Sequence, residues 1–180
     1  MELPEGNELA GLKVVRYPDP ILSRRAAEIE QVDDGVRALA RRMFEIMYAS
    51  GGVGLAAPQV GVSARLFVTN PAGDEGDQEQ VYVNPRIVSR EGSDVFEEGC
   101  LSVPGVNCKI RRSAEATVRA TGLDGREFVK QADGLLARIF QHEIDHLDGV
   151  LIADRMSPVA RLAHRRTLKE LARDYEGEDG

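Results

Sequence analysis

The chain has 180 residues, 42% hydrophobic and 29% charged, the composition of a soluble globular protein and not of a disordered one. Thirty acidic against 23 basic side chains leave a formal net charge of −7, which argues against non-specific nucleic-acid binding while leaving room for a local basic patch. No apolar run approaches a membrane span, the first residues lack the apolar core of a secretory signal, and two cysteines are too few for a disulfide framework. One domain over residues 1–180, with reduced thiols in a cytosol-like, cytoplasmic compartment, is the expectation.

From Asp33 to Ser50 the apolar residues Val36, Leu39, Ala40, Met43, Phe44 and Met47 recur at steps of three and four, the stripe of an amphipathic helix. Gly51-Gly52-Val53-Gly54 is too rich in glycine to continue it and reads as a loop. Short β-rich runs follow at Arg65–Thr69, Val81–Asn84, Arg86–Ser89, Glu115–Ala120 and Glu127–Val129. They are separated by Asn70-Pro71, the acidic Gly73–Asp77 loop, Asn84-Pro85 and Asp124-Gly125, the last reading as a hairpin turn. A second helix starts near Asp133, a suitable N-cap, and stops by Gly149. A third runs from about Pro158 to Tyr175, opened by Ser157-Pro158, and leaves a solvated acidic tail at 176–180. A helix, several strands and two further helices favour an α+β fold over βαβ alternation.

On the second helix stands QHEIDH, Gln141 to His146. His142 and His146 are four apart, so they leave one helix face with β-carbons about 5–6 Å apart and can reach one ion. Glu143 lies on the same side without pointing along the histidine stripe, where a carboxylate can take a proton from a water activated by that ion. The stripe through Leu135, Ile139, His142 and His146 puts both imidazoles on an otherwise apolar face. The blander alternative is a helix whose histidines are four apart by chance, one of them paired with Asp145 or Asp148. A metal held by two histidines needs a third protein ligand. A histidine six residues after His146 is ruled out, because position 152 is Ile152. Glu170 from the following helix, or a thiolate from Cys100 or Cys108, are the candidates, and spacing does not choose between them.

Three segments stand in order along the chain: GVGLAAPQVG at Gly52–Gly61, EGCLSVP at Glu98–Pro104 and QHEIDHLDG at Gln141–Gly149. Read together they resemble the peptide deformylase family over roughly Val14 to Pro158. The resemblance implies an α+β fold, with mixed or antiparallel sheets wrapped around the central helix carrying HExxH, and N-terminal and C-terminal helices beside them. It implies a metal-dependent hydrolase acting on N-formylmethionyl nascent peptides, with Cys100, His142 and His146 as ligands of one ion, typically Fe²⁺, replaceable by Zn²⁺, Ni²⁺ or Co²⁺. Glu143 would be the general acid/base, and Gln59 with the Leu101 N–H would receive the oxyanion. Val53, Phe96, Leu135 and Ile139 would line the methionine pocket, the Gly54 backbone would pair with substrate, and Gly99 would let the chain approach a crowded site. The alternative is a zinc metallopeptidase using Glu170 as third ligand; a degenerate relative that binds without turnover is a third reading.

Two positions depart from the family pattern: Asn107, where arginine is common, and Arg138, where many relatives carry an apolar residue. Arg161, Arg165, Arg166 and Lys169 place four positive charges within nine residues of the last helix. The resemblance implies ribosome docking through such a helix, whereas a solvated helix pairing with Glu170 and Asp174 accounts for the same charges.

Overall fold

A computed structural model describes residues 3–73 and 77–178. Most of the expected Gly73–Asp77 loop, and the last two residues of the expected tail, lie outside that range. Helix α1 (Gly6–Ala10) is short; α2 (Asp34–Ala49) is the first long helix, and Asp33 caps it by accepting the Val36 N–H at 3.0 Å. All six apolar residues of the expected stripe are buried, together with Ile46.

Seven strands follow: β1 (Gly54–Ala56), β2 (Leu66–Thr69), β3 (Gln80–Glu91), β4 (Asp94–Gly99), β5 (Asn107–Arg112), β6 (Glu115–Thr121) and β7 (Glu127–Asp133). Five form an antiparallel sheet in the order β1-β2-β3-β6-β7, while β4 and β5 pair separately. Helix α3 (Gly134–Leu147) packs against β1, β2, β3, β6 and β7, so the sheet wraps the helix that carries the HExxH segment. Its Phe140, Ile144 and Leu147 are buried with Phe67, Tyr82 and Val118 of the sheet. The chain closes with α4 (Ile152–Arg155), α5 (Pro158–Ala163) and α6 (Arg165–Glu178).

The α+β architecture expected from the sequence is the one observed, with four differences in detail. Asn84-Pro85 does not separate two strands; β3 runs through it with register shifts between Val83 and Arg86 and between Ile87 and Ser89. Asn84 takes φ +50°, and its amide accepts the Ile29 N–H at 2.9 Å and donates to the Ile29 carbonyl at 2.7 Å, so a bulge is pinned where a turn was read. Gly54 opens an edge strand instead of ending a loop. The β4–β5 hairpin had no expected counterpart. The last helix is broken at His164, and its second part continues to Glu178, into the stretch read as tail.

Candidate metal centre

The 3.6-residue period of α3 puts His142 and His146 on successive turns, with Nε2 atoms 3.2 Å apart. Cys100 follows the end of β4, where the loop to Val106 is anchored by burial of Val103 and Val106 against Ile152 and Leu168. That loop brings the Cys100 Sγ within 3.2 Å of His146 Nε2. The three donor atoms all lie within 4.8 Å of one another, and this is the one such group among the described residues.

Burial opposes ionisation of Cys100, yet the imidazoles of His146 and His142 hold its thiol well below the ordinary range. Burial would likewise lower His142, but Cys100 and Glu98 carry it up to about 10. A thiolate converging with two imidazole nitrogens is the donor set of a divalent transition ion. The buried Glu143 Oε2 has no partner and lies next to this donor set, so the residues fit a bound cation and its water.

Glu143 is buried, and burial pushes its carboxyl up against the lowering pull of His142 and His146. Gln59 is held by its own 3₁₀ turn, Ala57–Val60: its Oε1 accepts the Ala56 N–H at 2.9 Å. Its Nε2 is thereby aimed at Cys100 Sγ (3.7 Å) and Ser102 Oγ (3.4 Å). A cleft of about 390 Å³ opens over these groups. Val53, Gly54, Leu101, Leu135 and Ile139 line it with Gln59, Gly99, Cys100, His142 and Glu143. Phe96 does not; it is 61% exposed and stacks outside on Arg138, whose Cζ is 5.4 Å from the ring centroid. A larger groove of about 1260 Å³, between the N-terminal segment and α2, carries none of these residues.

Behind the cluster lies a network that the sequence did not disclose. Glu98 Oε2 accepts from His142 Nδ1 at 3.1 Å, and Arg112 grips the same carboxylate through Nε (2.7 Å) and Nη2 (3.0 Å). Arg112 also reaches Asp145 at 2.8 Å, which Arg155 holds from the other side. Burial would raise the Glu98 carboxyl, but His142 and Arg112 hold it at about 2. The His142 partner is therefore neither Asp145 nor Asp148; Asp148 pairs with Arg65 at 2.8 Å. Glu98 stands within the EGCLSVP segment two residues before Cys100, and that spacing was the signal available in the sequence.

Glu170 pairs with Arg166 at 2.8 Å on the last helix and is no part of the cluster, which removes the ligand required by the metallopeptidase alternative. Cys108 is buried on the opposite strand, facing Ile110 and Leu168. Asn107 pairs across from Gly99, and a side chain at position 99 would meet its Oδ1 at 2.6 Å.

Residues 12–162 match the family model described as polypeptide deformylase. A peptide deformylase of Acidobacterium capsulatum is 45% identical over 164 residues, covering 91% of this chain and 96% of that one. The crystal structure of a plant peptide deformylase superposes with a TM-score of 0.93 at 40% identity, over 98% of this chain and 96% of the other. That of Plasmodium falciparum gives 0.88 at 41%, over 92% and 98%. With three motifs folded into one centre and relatives aligned along nearly their whole length, this chain belongs to the polypeptide deformylase family.

Proposed function

We propose that the protein hydrolyses the formyl amide at the N-terminal formylmethionine of newly made polypeptides, releasing formate and a free amine. The observation that carries this reading is the buried Glu143 carboxyl, its Oε2 without a partner, lining the cleft beside the Cys100–His142–His146 cluster. Those three residues would hold one divalent ion, Fe²⁺ by preference, with Zn²⁺, Ni²⁺ or Co²⁺ able to replace it. Bound there, such an ion supplies Lewis acidity, lowering the pKa of a water and polarising the formyl carbonyl.

The chain's own groups do the rest. Glu143, with its carboxyl raised by burial, takes the proton of the attacking water and later delivers it to the departing amine. The Gln59 Nε2 and the Leu101 N–H donate to the formyl oxygen as charge gathers on it; both are neutral and leave the attacking oxygen unquenched. The free edge of β1 at Gly54 offers backbone groups to an extended peptide, and Gly99 leaves room on the facing side. Val53, Leu135 and Ile139 receive the methionine side chain, with Phe96 contributing only through Arg138.

In this reading residues 1–180 act as one catalytic domain of bacterial, cytoplasmic type; no helix among the described residues is long and apolar enough to cross a membrane. Ribosome docking is favoured by one feature of the C-terminal helices: the exposed Leu162 shares a surface groove with Arg165, Arg166 and Lys169. Co-sedimentation should be lost on truncation before Pro158; equal pelleting of both forms would remove those helices from the proposal.

The decisive assay is formate release from a formyl-Met-Ala-Ser peptide by protein prepared without oxygen and loaded with Fe²⁺ or Ni²⁺. Turnover that a chelator abolishes and the ion restores is expected. Fully loaded protein that releases no formate would discard the reading.

A further inference from the structure

Arg138 stands one turn before His142 and lines the cleft together with Leu135, Ile139 and His142. Its Nη1 donates to Glu98 Oε1 at 2.5 Å and to the Ile110 carbonyl at 3.2 Å, and only 11% of the side chain is exposed. The four contacts to Glu98 divide evenly. Oε1 takes Arg112 Nε and Arg138 Nη1, while Oε2 takes Arg112 Nη2 and His142 Nδ1. Arg112 is shared between two carboxylates, its Nε and Nη2 on Glu98 and its Nη1 on Asp145. Arg138 is thus the second cation of a buried carboxylate: it gives Oε1 two charged donors and helps hold the carboxylate so that Oε2 faces the His142 Nδ1. The same guanidinium carries Phe96 on its outer face.

We infer that Arg138 is a positioning residue for His142 and, with Phe96 stacked on it, the outer wall of the substrate cleft. One side chain thereby ties retention of the ion to the fit of the substrate's first side chain. With Glu98 fixed, the Nδ1–H of His142 has one acceptor, and its Nε2 stays turned toward Cys100 and His146. The inference rests on the metal assignment proposed above.

Two variants test it, Arg138→Leu and Arg138→Lys, with thermal unfolding as the folding control. In Arg138→Leu, loss of Co²⁺ to excess chelator should accelerate about 10-fold, in the range seen when groups behind a ligand are removed. In metal-free protein, the His142 Nδ1 proton, followed by NMR, should lose its protection from exchange. KM for a formyl-Met peptide should rise several-fold, with kcat of fully loaded enzyme changed less. Arg138→Lys, which keeps the charge but not the planar stacking surface, should restore Co²⁺ retention and leave KM high. Unchanged Co²⁺ loss and proton exchange in Arg138→Leu would overturn the inference, as would a rise in KM alone. If the wild-type protein bound no Co²⁺, the metal assignment would fail, and the proton-exchange comparison would still decide whether Arg138 positions His142.

Discussion

A methyl group added at Gly54 probes the packing between β1 and α3. A Cβ there would stand 2.6 Å from Glu143 Oε1, 2.8 Å from Ile139 Cγ2 and 3.1 Å from Glu143 Cδ. Comfortable contact begins near about 3.5 Å, so Gly54→Ala must move the carboxylate aside or lever β1 off the helix, by roughly 1 Å. Neither yields cheaply, because Leu55, Ala56 and Ile139 are buried and the neighbouring β2 is buried along its length. Overpacking of this kind costs about 1–3 kcal/mol of stability. A catalytic group displaced by about 1 Å costs on the order of 100-fold in rate. Gly54→Ala should therefore lower the unfolding free energy by that amount and kcat/KM for a formyl-Met peptide by about 100-fold. Ion content should stay stoichiometric, since none of the three cluster residues is struck. Gly51→Ala is the matched control: its Cβ meets nothing within 4 Å, and it bears only the strain of a left-handed backbone at φ +66°, about 1–2 kcal/mol. Gly54→Ala turnover within threefold of wild type would refute the argument that Glu143 and the β1 backbone share this space.

Glu143→Gln should retain the ion and lose at least about 100-fold in turnover, because the amide cannot carry the proton; single-turnover formate release with parallel metal analysis checks both halves. Cys100→Ser should lose stoichiometric iron on gel filtration; iron held at one equivalent would point to a different third ligand. The third expectation concerns acid. Glu98 is held at about 2, below the ordinary 4.5, so its contribution to stability is complete above about pH 4.5 and is lost as pH falls toward 2. Denaturant unfolding across that window should show a steep loss in the wild type and a shallower one in Glu98→Gln; parallel curves would show that Glu98 is not the group responsible.

What could be read from the chain followed how directly each residue reports its surroundings. The stripes of α2 and α3 were explicit because apolar residues at helical spacing arise from little besides a helix with one buried face, and both helices fall within two residues of the expected ends. The hairpin at Asp124-Gly125 was explicit because its turn chemistry is local, with Gly125 at φ +77° between β6 and β7. The β4–β5 hairpin was hidden by its content. In β5 the buried, alternating residues are Cys108, Ile110 and Arg112, and a buried arginine spoils an apolar period. In β4, Val95 and Phe96 are exposed while Glu98 is buried, the reverse of the usual pattern. These inversions share a cause: Arg112 and Glu98 are buried as partners of each other and of His142, a pairing that no local window contains. The break at His164 was equally non-local, since its ring meets the Asn107 carbonyl at 3.0 Å.

The way α3 is seated has a consequence for how the centre comes apart. Its apolar side is enclosed by five strands, its last carbonyl region is tied by the Ala26 N–H to Leu147 at 2.9 Å, and the buried Arg65 links Asp148 to the Pro85 carbonyl. Gly149 then lies so close to the Ser23 backbone that a Cβ would stand 2.8 Å from it. A helix enclosed along its face and fastened at its end has no inexpensive way to fray. Amide exchange at His142 and His146 should thus report the global unfolding free energy and not a local opening. The two imidazoles leave the cluster when the whole sheet lets go, so a donor set that joins them to a cysteine more than forty positions away persists as long as the native state itself.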